Sequence, residues 1–104
     1  MENKALYTKH DFELADGTVV KVTLRFYSLY QLKSKNKAAY DAYNKIMTRG
    51  PQEELDNATI IYTAYLCANL NEDCMTEMEF LELMPDDREY VATVLGKLIN
   101  PKKN

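Results

Sequence analysis

The sequence predicts an α+β domain, mainly α-helical: an N-terminal β-hairpin followed by about four helices, residues 1–104 forming a single compact unit. Three observations predict it. Thr18 to Phe26, TVVKVTLRF, alternates with a period of two behind an Ala15-Asp16-Gly17 turn signal, the pattern of a half-buried strand. Start signals follow at Ser28/Gln31, Thr76/Glu79 and Asp86/Glu89, each pairing a capping side chain with an acidic or amide residue three positions on. Finally, Ala58 to Leu70 contains no charged side chain. A surface helix shows a polar face, yet here Ile60, Tyr62, Tyr65 and Leu66 point one way while Ile61, Ala64, Cys67 and Ala68 fill most of the rest. This stretch is the helix on which the others pack. It is too short to cross a bilayer, which takes roughly 20 apolar residues.

Residues 1–9, MENKALYTK, carry little pattern and, with 100–104, are expected to be flexible ends. In the hairpin, the side-chain faces select the loop. A two-residue loop of Asp16-Gly17 would set Phe12 and Leu14 over the polar face of the second arm. A three-residue loop, Ala15-Asp16-Gly17 with Gly17 at positive φ, pairs Leu14 with Thr18 and Phe12 with Val20. It also places Asp11 opposite Lys21, a favourable cross-strand pair. Register follows the hydrophobic pattern where one face is buried, so the second loop is expected. Val20, Val22, Leu24 and Phe26 then face inward.

Ser28 is expected to open a first helix that runs to about Thr48, with Leu29, Leu32, Ala39, Tyr43 and Ile46 as its inward stripe. Gly50-Pro51 reads as a stop and a restart, with proline in the first turn of the next helix. Glu53 and Glu54 complement the dipole of the central helix, which ends near Leu70-Asn71. Thr76 and Glu79 open a brief helix that Pro85 ends. Asp86 and Glu89 open the last one, whose apolar residues are Tyr90, Val91, Val94, Leu95, Leu98 and Ile99.

At 104 residues the chain can bury about two-thirds of its unfolded surface and needs no staples. Cys67 lies in the apolar helix and Cys74 in a polar loop, so both are expected to be free thiols. The single histidine, His10, is remote from both, and no zinc set is predicted. No basic segment with an apolar run opens the sequence, which points to the cytoplasm. A net charge of -3 argues against nucleic-acid binding, where phosphate neutralisation supplies most of the affinity.

Nucleophile–base pairs, clefts of paired carboxylates, metal clusters and phosphate-cradling glycine loops are the usual signatures of catalysis. None is legible here, so no catalytic, cofactor-binding or metal-binding residue is assigned and a non-enzyme is expected. What remains points to protein partners. Tyrosines spaced by three at Tyr27/Tyr30, Tyr40/Tyr43 and Tyr62/Tyr65 share helical faces. They read either as semi-buried aromatics whose hydroxyls reach solvent or as an interface. Tyr40, beside the inward stripe, is the best interface candidate. Flexible thioethers suit varied apolar partners, which adds Met47, Met78 and Met84, with Met75, although each also serves as core filler. The first helix is basic (Lys33, Lys35, Lys37, Lys45, Arg49) and residues 72–89 are acidic. These faces either complement each other within the fold or support head-to-tail self-association.

The order of features carries a resemblance: the hairpin FELADGTVVKVTLRF, a helix opening SLYQL, the apolar IIYTAYLCAN, then MTEMEFLELMPDD and a final helix. From about Phe12 to Ile99 the chain resembles the small tail assembly chaperones of long, non-contractile-tailed phages and prophages of Gram-positive bacteria. The resemblance implies a mainly helical adaptor that binds the tape measure protein and keeps it soluble during tail assembly. It implies action in the host cytoplasm and absence from the mature virion. The family commonly makes a longer product by ribosomal frameshifting, whose extension recruits tail-tube protein. The alternatives are another phage structural protein, such as a head–tail connector, and a small cytoplasmic nucleic-acid-binding regulator.

Overall fold

The computed structural model describes residues 9–100. The expectation of flexible ends therefore falls mostly outside the described residues. Two strands precede five helices: β1 (His10–Glu13), β2 (Val19–Val22), α1 (Phe26–Lys35), α2 (Lys37–Arg49), α3 (Glu54–Ala68), α4 (Glu77–Glu82) and α5 (Arg88–Ile99). The architecture is α+β and mainly α, a single compact domain.

The hairpin has the expected register. Phe12 pairs with Val20 and Asp11 with Lys21, and the Asp11 and Lys21 side chains form an ion pair. The Leu14 N–H donates to the Thr18 carbonyl (2.7 Å) and the Gly17 N–H to the Leu14 carbonyl (2.9 Å). Gly17 sits at φ 90°, where a side chain would be strained. Phe12, Leu14 and Val22 are buried. Phe26 is not inward: β2 ends at Val22, and Phe26 begins α1 with 89% of its surface exposed. The period of two stops because the Thr23 N–H leaves the strand ladder and donates to the Ala64 carbonyl of α3 (3.0 Å).

The predicted first helix is two helices. α1 stops at Lys35, and the Asn36 side chain accepts the Ala39 N–H (3.1 Å) as the N-cap of α2. Asparagine competes for backbone donors in this way, and so it divides a continuous apolar stripe. Ser28 does not cap α1. It is buried in the first turn behind Arg25, the N-cap, whose side chain makes no capping bond. Leu29, Leu32, Tyr43 and Ile46 are buried as expected. Gly50 closes α2 at φ 88°, while Pro51 lies ahead of α3 rather than in its first turn.

Central packing falls to α3, which touches β2, α1, α2, α4 and α5. Ile60, Ile61 and Ala64 are wholly buried, which explains why the helix lacks a polar face. Its two spaced tyrosines are tied down rather than reaching for solvent. The Tyr62 hydroxyl donates to the Met75 carbonyl (2.9 Å), and the Tyr65 hydroxyl accepts the Met75 N–H (2.8 Å). Phe80 of α4 stacks on Tyr65 at 5.0 Å and approaches Tyr62 at 5.4 Å. Phe12 continues the aromatic layer to Phe80 and Tyr90.

Capping at α4 follows the sequence: the Thr76 side chain accepts the Glu79 N–H, and the Glu79 carboxylate accepts the Thr76 N–H (2.8 Å). At α5 the cap is one residue later than expected. Asp87, not Asp86, accepts the Tyr90 N–H (3.1 Å).

Candidate partner-binding groove

The hairpin fixes the corner where α4 turns into α5. The Ala15 N–H donates to the Leu83 carbonyl (2.8 Å) and the Glu13 N–H to the Tyr90 hydroxyl (2.8 Å). Held there, the α4–α5 connection stands off the start of α3 and leaves an open groove of about 310 Å³. Its apolar lining comes from Leu55 and Ala58 of α3, Leu81 of α4, Met84 and Pro85 of the connection, and Val91 and Ala92 of α5. Leu55 is 64% exposed at this surface. Met78, one turn before Leu81 on α4, is 76% exposed and extends the apolar face.

The rim is charged. Glu54, Asp86 and Arg88 line it. Arg88 grips Glu54 with two bonds, Nε to Oε2 and Nη2 to Oε1, both 2.9 Å. This pair holds the Glu54 carboxyl below its usual range and the Arg88 guanidinium above its own.

The four residues expected at an interface do not converge. Met84 lines the groove and Met78 lies beside it. Tyr40 and Met47 are on α2, which packs on α1 and α3 and contributes nothing to the lining. Tyr40 is half-buried beside Tyr43, with the Lys33 ammonium 5.5 Å above its ring. Leu55, Arg88 and Ala92 were not anticipated. Leu55 carried a signal: it is a large apolar side chain inside an acidic first turn, where a helix entering solvent is expected to be polar.

A second exposed apolar surface lies on α1, where Phe26, Tyr27 and Tyr30 stand at the surface. The Arg25 guanidinium lies 5.7 Å from the Tyr27 ring centre. Cys67 is buried, which pushes its thiol up to about 12, and Cys74 is a free, half-buried thiol whose Sγ lies against the Asn69 carbonyl. The His10 pKa is lowered by burial and by Lys97. Among the described residues no group of three or more His, Cys, Asp or Glu is placed to hold a metal ion, and no described helix is long and apolar enough to cross a membrane.

Among the described residues, the basic and acidic halves do not pair within the fold. Lys37 bonds Asp41 four residues on, Lys35 reaches Asn71, and Arg49 binds Asp56. No lysine between 33 and 45 forms an ion pair with an acid between 72 and 89.

No protein-family model, curated protein or solved structure matches the chain.

Proposed function

We propose that the protein is a non-enzymatic adaptor that binds an apolar helical segment of a partner, acting as a tail assembly chaperone for a tape measure protein. The observation that carries this reading is the open apolar groove between α3, α4 and α5, continued outward by Leu55 and Met78. A groove between helices suits the apolar face of an incoming helix, whose anchors recur at i, i+3 or i+4 and i+7. Methionine at Met78 and Met84 lets the surface adjust to several segments of a long client. In this reading the protein works in the host cytoplasm and does not remain in the finished virion.

Co-expression with the tape measure gene of the same tail cluster tests the proposal. The tape measure protein should become soluble and co-purify with the wild-type chain, and Leu55→Ser should lose it. A tape measure protein that stays insoluble, with no complex at low salt, contradicts the assignment. So does recovery of this chain in purified virions.

A further inference from the structure

From the charge around the groove we infer that its occupant is an amphipathic helix whose apolar anchors are flanked by lysine or arginine. The inference rests on the partner-binding reading of the groove and specifies the chemistry of what enters it.

The lining is apolar, so burial alone would accept any helix with suitable anchors. The surroundings are selective. From Thr76 to Ala92, the segment forming two sides of the groove, there are six acids (Glu77, Glu79, Glu82, Asp86, Asp87 and Glu89) against Arg88 alone. Of these, Asp86 lines the groove itself, while Asp87 and Glu89 lie on a separate surface with Tyr90 and Thr93. Arg88 grips Glu54 and pairs more loosely with Asp86, so the lining holds two acids, Glu54 and Asp86, against one cation and keeps a net negative charge. The Asp86 side chain is fully exposed, and its oxygen is 3.8 Å from the nearest Arg88 nitrogen. Among the described residues no lysine lines the groove. A partner helix with acidic flanks would meet like charge along this rim, whereas lysines or arginines would meet opposite charge. Such complementarity governs register and partner choice more than raw affinity, and it weakens with salt.

The test uses two fluorescent helical peptides of about 18 residues with identical leucine anchors, one flanked by lysine and one by glutamate. Anisotropy titrations at low salt should show the lysine-flanked peptide binding about tenfold tighter, with the preference shrinking as salt rises. Glu82→Lys with Asp86→Lys, both exposed and neither a cap, should invert the preference, with the thermal transition retained as a folding control. Leu55→Ser should weaken both peptides.

Equal affinity of the two peptides, with Leu55→Ser still weakening both, overturns the charge inference and leaves the apolar-groove reading standing. Peptide binding indifferent to Leu55→Ser overturns both. Sedimentation showing an oligomer that Leu55→Ser dissolves would assign the groove to a second copy of this chain and also overturn the inference.

Discussion

Arg88 of α5 and Glu54 of α3 close one side of the groove with a two-pronged ion pair, both bonds 2.9 Å long. Each side chain keeps about two-thirds of its surface in water, at 66%. Exposed pairs of this kind add little to stability because solvent screens them and ordering two long side chains costs entropy. Their main effect is on the rim's charge. Arg88→Ala should therefore leave the melting temperature nearly unchanged while tightening the lysine-flanked peptide several-fold, since Glu54 becomes available. Weaker binding in the variant would mean that Arg88 itself contacts the partner.

A different pair carries pH dependence. Asp56 is buried at the start of α3, and its carboxylate accepts the Gln52 N–H (2.8 Å), the Glu53 N–H (3.3 Å) and a bond from Arg49 (3.1 Å). The Gln52 bond, then Arg49, holds its pKa below the ordinary carboxylate value. A depressed folded-state pKa contributes stability above the unfolded value of about 4, which is lost as pH falls through the folded value. Asp56→Asn should melt earlier than wild type at neutral pH, and the gap should close on acidification. Melting curves that stay parallel down to about pH 2 would contradict this.

Core and groove should separate cleanly by mutation. Ile61 is wholly buried in α3, so Ile61→Asp places an unpaired charge in the interior at a cost of several kcal/mol. That is a large part of the roughly 5–15 kcal/mol that holds a domain together. The cooperative thermal transition should be lost. Leu55→Ser, at an exposed site on the same helix, should keep the transition and lose the partner. An Ile61→Asp chain that still melts cooperatively but fails to bind would show that α3 itself is the binding surface.

The break between α1 and α2 gives a further test. Asn36→Ala removes the side chain that accepts the Ala39 N–H, and loss of such a cap costs about 1 kcal/mol. Chemical denaturation should show a lower midpoint with an unchanged slope. No change in midpoint would mean that packing of α1 and α2 against α3 alone sets the break.

Much of the fold was legible because it is written locally. Phe12 and Leu14 selected the hairpin loop through their faces, Thr76 and Glu79 marked α4, and the uncharged run from Ala58 identified the core helix. The errors arose where a single hydrogen bond, long-range or local, overrode the hydrophobic pattern. Thr23 turns away to Ala64, which ends the alternation before Phe26, and Asn36 uses its side chain to split a stripe that periodicity alone reads as continuous. The groove was less legible. Leu55, Leu81, Met84 and Val91 are scattered over some 36 positions and meet through the packing of α4 and α5 on α3, with the hairpin turn tying Ala15 to Leu83. Single residues such as Met84 could be nominated for their chemistry, but their neighbours could not. Tyr40 and Met47 shared that chemistry and lie on a different helix.

The most direct test of the partner-binding account is hydrogen exchange of the chain alone and in complex with co-purified tape measure protein. The account predicts added protection in the first turns of α3, around Glu54 to Ala58, and from Leu81 to Ala92, with α2 unchanged. Protection confined to α1 and α2, with the groove exchanging as in the free chain, would contradict it.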